Sequence, residues 1–192
     1  KLTKQYHPLR GEHLGKVIVS DIFVDYKKHV LKFASNLRHL RVVIDAGNGM
    51  AGKTIPLVCE GLPIEIIPLY FELDGSFPNH EANPLKPENM VDLQKKVRET
   101  RAHLGVAFDG DADRLIAGDD TGKEITGDSI LAICANHAKH KNKLKNNVVV
   151  STIMSNVGLT EFLSRNGIMH IRSDVGDRKV LEEMQKCGSI LG

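Results

Sequence analysis

The apolar positions of this chain fall into two recurring patterns: short β-branched runs, and longer stretches in which apolar side chains return every three or four places. The first pattern predicts buried strands and the second predicts amphipathic helices. Ser20 is placed to cap a helix over 21–34 whose Ile22, Tyr26, Val30 and Phe33 share one face. A strand over 41–45 runs into a glycine-rich turn and a helix to about Glu60, closed by Gly61, and a second strand follows over 64–70. Residues 74–89, DGSFPNHEANPLKPEN, hold Pro78, Pro84 and Pro87 and predict a long ordered loop. Pro87 opens a helix with Met90, Leu93 and Val97 on one side. Strands over 104–108 and 114–117 flank an acidic loop, and Asp119-Asp120-Thr121-Gly122 turns the second strand back. A helix from about 128 to 138 ends this block.

The second block repeats the first. VVIDAGNGMAGKTIPLVCEGL, from Val42, and VVVSTIMSNVGLTEFLSRNGI, from Val148, pair Gly52 with Gly158, Thr54 with Thr160, Leu57 with Leu163 and Gly61 with Gly167 at one constant offset. Each copy reads strand, turn, helix, glycine cap, strand. The expected fold is α/β: two related three-layer-type units with mixed, mainly parallel sheets and right-handed crossovers, the second incomplete.

Composition removes several function classes. The chain has 192 residues, 41% of them hydrophobic and 26% charged, with a net charge of +2. Those fractions are ordinary for a globular protein, and so small a charge gives no argument for nucleic acid. The basic run over 137–145 reads as a solvated linker. Cys59, Cys134 and Cys187 are odd in number and in no metal-ligand spacing, which points to a reducing, cytoplasmic setting. No apolar stretch approaches the roughly 20 residues that span a bilayer, so no membrane association is expected. The chain opens on Lys1 without a signal peptide and stops at Gly192 just after an apolar run, so both ends are expected to be cuts in a longer chain.

Two motifs compete for the chemistry. Residues 47–54, GNGMAGKT, satisfy the P-loop pattern, follow a strand and open a helix, while Asp109 could serve as the acidic partner at the end of a second strand. The same Gly47, Gly49 and Gly52 also fit the dinucleotide pattern G-x-G-x-x-G, and one loop cannot serve both. The repeat weighs against either, because its second copy keeps Gly158 but carries Ile153, Ser155 and Leu159 in place of Gly47, Gly49 and Lys53. The acidic run Asp109-Gly110-Asp111-Ala112-Asp113-Arg114 is the sharper signal. Three carboxylates at alternate positions in a tight loop repel one another unless a cation or solvent relieves them, and oxygen-only donors favour Mg²⁺ or Ca²⁺. An EF-hand loop would require Gly where Arg114 stands, and a haloacid-dehalogenase-type phosphatase expects Thr or Val where Asp113 stands.

LGVAFDGDADR resembles the metal-loop signature of the α-D-phosphohexomutases, enzymes that move a phosphoryl group between C1 and C6 of a hexose. PLYFELDGSFPNHEANPLKPENMVDL resembles the phosphomannomutase/phosphoglucomutase branch, and STIMSNVG with Val175-Gly176-Asp177-Arg178 is similar to the phosphoglucosamine-mutase branch. The likeness implies that 1–16 end a preceding domain or linker, 17–140 form domain two, 141–147 are a basic linker and 148–192 begin domain three. It further implies that Asp109, Asp111 and Asp113 hold Mg²⁺ and that Arg114 contacts phosphate. The nucleophilic Ser, phosphorylated in this family, would lie outside the chain, and the sugar-selecting loop would begin near Gly192. The implied partners are a hexose phosphate substrate, a mannose or glucose phosphate, and a hexose bisphosphate intermediate. Such a segment is expected to be inactive alone. Ser151 and Ser155 lack an evident base, and Ser76 lacks a basic neighbour. His80 reads as a loop histidine bonded to backbone and Asp177 and Arg178 as the start of the last helix; the resemblance implies that Asp174 stands where members of the family often carry Lys. A P-loop nucleotide-binding protein, using 47–54 and Asp109, is the alternative. A non-catalytic metal-binding module is third.

Overall fold

Val42, Val43 and Ile44 are all buried, as a strand covered on both faces requires. They belong to β1 (Leu40–Asp45), an inner strand of the first sheet in the computed structural model, which describes residues 15–34 and 36–192. β1 pairs in parallel with β2 (Ile64–Leu69) on one side and β3 (Leu104–Phe108) on the other. Two antiparallel strands, β4 (Leu115–Gly118) and β5 (Glu124–Ile125), complete the order β2-β1-β3-β4-β5. α2 (Ala51–Cys59) connects β1 to β2, and Gly61 follows it at φ +83° as the expected glycine stop. α3 (Val91–Thr100) continues a 3-10 turn over Pro87–Met90 and buries Met90, Leu93 and Val97 against Val43 and Ala107. The turn expected at 119–122 forms: the Asp119 carboxylate accepts from the backbone N–H groups of Thr121 and Lys123, and Gly122 takes φ +80°.

The second sheet pairs β6 (Val148–Thr152) with β7 (Met169–Ser173) in parallel, joined by α5 (Val157–Arg165) and followed by α6 (Asp177–Cys187). The repeat therefore holds as two strand–helix–strand units, each with a positive-φ glycine, Gly61 or Gly167, after its helix. α4 (Gly127–His140) departs from expectation. The sequence groups it with the first block, but Leu131, Ala132, Ala135 and Ala138 pack with Val149, Leu159, Leu163 and Ile168 of the second. Its start is tied to the start of α5, where Asp128 Oδ2 accepts from Asn156 N at 3.1 Å and Asn156 Nδ2 at 2.7 Å. Its end is tied to the end of α5, where Lys139 Nζ donates to the carbonyls of Asn166 and Gly167. Leu144, inside the expected basic linker, is buried in the same core.

The described residues from Gly15 to Leu37 form a separate unit. Its helix α1 (Phe23–Leu31) is shorter than the expected 21–34 and buries no residue. Ile22 rather than Ser20 stands at its cap, and Asp21 Oδ1 accepts the Phe23 N–H at 2.9 Å. Residues 1–14, part of the expected preceding segment, lie outside the described residues. No helix among the described residues is long and apolar enough to cross a membrane.

Because the two sheets own separate cores, Leu163→Ala should cost about 2–5 kcal/mol by urea unfolding. Amide exchange should quicken across β6 and α4 more than across β1 and β3. Equal quickening everywhere would show one cooperative core.

Candidate metal centre

Three loops leave the carboxyl ends of the parallel strands β2, β1 and β3. The chain runs from β1 outward to β2 and then returns to the far side of β1 as β3, so β1 and β3 flank the point where the strand order reverses. Open α/β sheets form ligand crevices at such a point. Here it brings the glycine-rich turn after β1 against the acidic loop after β3. Met50 N donates to Gly110 O at 3.0 Å, and a Cβ on Gly49 would lie 2.6 Å from that same oxygen. A Cβ on Gly52 would lie 2.1 Å from Phe71 O. Glycine is required at both positions because another backbone occupies the space.

That packing decides the phosphate-cradle question. Gly47 N donates to Asp45 Oδ1 at 2.8 Å, Asn48 N to Tyr70 O at 2.8 Å and Gly49 N to Ala46 O at 2.7 Å. Gly52 N donates to Gly49 O, while Lys53 N and Thr54 N both donate to Met50 O. A phosphate cradle needs such N–H groups aimed at the ligand. In this turn they are spent on the protein.

The acidic loop is built differently. Asp109 is buried, Asp111 and Asp113 are exposed, and one oxygen from each lies within 4.8 Å of the others. Asp109 Oδ2 accepts from Arg114 Nε at 2.7 Å and Asp109 Oδ1 from Arg114 N at 3.2 Å. Arg114 Nε also lies 3.5 Å from Asp113 Oδ1, and its side chain remains 63% exposed. Burial pushes the Asp109 carboxyl up, but the Arg114 hydrogen bonds and charge outweigh it and hold the group below its ordinary range. Asp113 is pushed up, first by the Asp111 charge, then by burial and Asp109. Ala112 sits at φ +64°, a left-handed conformation that costs a non-glycine residue about 1 kcal/mol. The set fits a small hard cation: all-oxygen donors, one of them fixed, with the Asp113 pKa still raised by its acidic neighbours although Arg114 lies beside it.

The loop over 70–89 wraps this floor. Asn48 Nδ2 donates to Glu72 O, Asn79 Nδ2 donates to Asn48 Oδ1, and Asp74 N donates to Asn48 O. His80 Nδ1 bonds Glu81 O at 2.8 Å, as expected of a loop histidine, while its Nε2 lies 3.0 Å from Asp45 Oδ2. The fully buried Asp45 is a residue sequence reasoning passed over, although it ends a β-branched strand just as Asp109 does. A cavity of 210 Å³ opens beside the floor, lined in part by Gly49, Met50, Phe77 and Gly110.

Elsewhere one expectation fails. Ser151, which lacks an evident base in sequence, has His170 Nε2 at 2.7 Å, because parallel pairing of β6 and β7 sets the two strands side by side. His170 Nδ1 bonds Thr160 Oγ1 at 2.9 Å, and Arg172 Nη2 donates to Thr160 Oγ1 at 3.1 Å. Burial, then the Arg172 charge, pushes His170 down. Ser151 is buried, so this network ties β6, β7 and α5 together within the second block. Ser76 Oγ donates to Asp74 Oδ1, and Asp177 opens α6, accepting the Arg178 N–H.

Comparison with known proteins follows the same division. Residues 21–122 match the family model described as phosphoglucomutase/phosphomannomutase, alpha/beta/alpha domain II, and residues 126–192 match domain III of the same family. A phosphoglucosamine mutase of Desulforapulum autotrophicum is 48% identical over 80% of this chain and 32% of its own length. One of Carboxydothermus hydrogenoformans is 42% identical over 96% of this chain and 42% of its own. The chain thus spans 32–42% of the length of these relatives. The crystal structure of a phosphoglucomutase/phosphomannomutase family protein from Burkholderia thailandensis superposes with a TM-score of 0.81 at 29% identity, over 88% of this chain and 36% of that one.

With the turn's N–H groups occupied, calorimetric titration with ATP or GTP should give no saturable heat, and Lys53→Ala should not change that. Tight binding abolished by the substitution would revive the P-loop. Gly49→Ala should destabilise the protein by about 1–3 kcal/mol, since Gly110 O cannot move aside as a flexible side chain could.

Proposed function

Because the chain belongs to the α-D-phosphohexomutase family, we propose that it supplies the magnesium-binding part of an enzyme that moves a phosphoryl group between C1 and C6 of a hexose phosphate. The observation that carries the reading is the convergence of the Asp109, Asp111 and Asp113 oxygens within 4.8 Å at the carboxyl edge of the sheet. Asp109, Asp111 and Asp113 would hold Mg²⁺, which when bound neutralises charge on phosphate oxygens. Arg114 anchors the loop through Nε, and its exposed guanidinium keeps further N–H donors with which it could contact a phosphate. Asp109, held ionised by Arg114, is ready to bind a cation without first losing a proton.

The phosphoserine donor lies outside these 192 residues in this reading, so the hexose bisphosphate intermediate forms only in the complete enzyme. The sequence favours a mannose or glucose phosphate. The relatives at 42–48% identity are named phosphoglucosamine mutases, and glucosamine phosphate is therefore the first substrate to test. Comparing kcat/KM for glucosamine, glucose and mannose phosphates on the full-length protein decides among them. The P-loop alternative has no support in the geometry of the turn. The reducing, cytoplasmic setting proposed from the cysteines is consistent with Cys59, Cys134 and Cys187 all being free thiols.

Two outcomes test the metal reading. Asp111→Asn should weaken Mn²⁺ binding, read by electron paramagnetic resonance, at least about tenfold. The ion-free melting temperature should hold or rise slightly, because Asp113 loses its strongest repulsive neighbour. Unfolding at ambient temperature would instead make the loop a structural element. Purified alone, the 192-residue chain should give no turnover in a coupled hexose-phosphate assay with Mg²⁺ and bisphosphate activator. Turnover would place the nucleophile within it.

A further inference from the structure

The floor beneath the acidic loop is held by a pair of titratable groups that the metal chemistry does not use. Asp45 is fully buried, and its two oxygens face Gly47 N at 2.8 Å and His80 Nε2 at 3.0 Å. From Gly47 the turn runs directly to Met50, whose N–H holds Gly110 O, and Gly110 lies between Asp109 and Asp111. A continuous line of hydrogen bonds and short backbone thus joins His80 to the metal loop. We propose that the His80–Asp45 pair is the positioning element of the metal loop, fixing the glycine turn on which Gly110 is seated. The inference rests on reading that loop as the metal centre, but it concerns the scaffold and can be measured without metal.

The chemistry of the pair makes the role specific. His80 Nδ1 faces the carbonyl of Glu81, which can only accept, so Nδ1 carries a proton. Nε2 can then donate to Asp45 only in the imidazolium form; otherwise Asp45 must itself be protonated. Either way the contact requires one shared proton. The charged or titratable groups around His80 are Asp45 from β1, Asp92 from α3, and Tyr70, whose ring stacks edge-on at 5.3 Å and whose hydroxyl donates to Asp92 Oδ2 at 2.7 Å. The Glu81 carboxylate is engaged by Lys86. Burial pulls the His80 pKa down, but the Glu81 carbonyl and the Asp45 charge outweigh it, and the net shift is upward. A raised histidine pKa stabilises the fold at low pH, and that contribution disappears as pH rises through the folded value. Losing the proton sets two acceptors face to face at one end of the ring, and where Nδ1 keeps its proton for the Glu81 carbonyl, Asp45 is left with the Gly47 N–H alone.

The test is amide exchange at Met50, corrected for intrinsic rate, with Val149 and Val150 of the second sheet as controls. In the native chain, Met50 protection should fall about tenfold between about pH 6 and about pH 9 while the controls hold. His80→Ala should remove the protection at all pH values. His80→Gln, whose side-chain amide can donate a neutral hydrogen bond to Asp45, should keep it and abolish the pH step. Mn²⁺ affinity should fall about tenfold in His80→Ala and be restored in His80→Gln. Unchanged Met50 protection in His80→Ala, or a pH step that survives in His80→Gln, overturns the proposal. Should Met50 open as expected while the native chain binds no Mn²⁺, the clamp stands and the metal reading falls.

Discussion

Two stretches of backbone meet between Gly49 and Gly110 with no room for a single carbon atom between them. Much of the first block depends on that approach. It sets how far the turn after β1 leans over the end of β3, and hence where the acidic loop sits relative to the sheet. It also explains why the turn imitates a nucleotide-binding loop. Both need glycine after a strand and before a helix, one to admit a phosphate and the other to admit a peptide group. The pattern records only that something comes close to the main chain. The hydrogen-bond partners identify what comes close.

Around that contact the protein spends polar groups freely. Asn48 stands at φ +59° with its backbone N–H, its carbonyl, its side-chain amide and its side-chain oxygen all engaged. Tyr70 and Phe77 also take positive φ along the wrapping loop. Strain of this order persists only where surroundings over-determine it, and here the surroundings are the loop's own bonds to the turn. Asp109 belongs to the same economy. Its buried carboxylate is held by the backbone N–H and the Nε of Arg114, whose guanidinium stays open to solvent.

The sequence was most legible where the determining contacts are local. Val42 to Ile44 and the apolar face of Met90, Leu93 and Val97 reveal themselves by periodicity alone, and the structure buries them. The hairpin at Asp119 to Gly122 is a four-residue chemistry readable at sight. The acidic triad is equally local, so its convergence could be expected from spacing. Long-range partners were not legible. Nothing near His80 in the chain points to Asp45, and nothing near Ser151 points to His170, because each pairing is made by strand and loop placement. The helix over 21–34 came out shorter because beyond Leu31 the backbone bonds tighten to three-residue turns, Phe33 to Val30 and Ala34 to Leu31, while the side-chain periodicity continues.

The allegiance of α4 was hidden for a related reason: an amphipathic stripe shows that a helix covers something without showing which sheet. Fastened to α5 at both ends and sharing the core of Val149 and Leu163, α4 is the lid of the second sheet, although the chain reaches it before β6. Anyone dissecting this polypeptide into halves would therefore cut before Thr126. A scission at the basic stretch, where charge and composition invite the knife, would carry the lid away with the wrong half and leave Leu159 and Ile168 facing water. Subunit boundaries drawn from surface chemistry alone would misplace a whole helix.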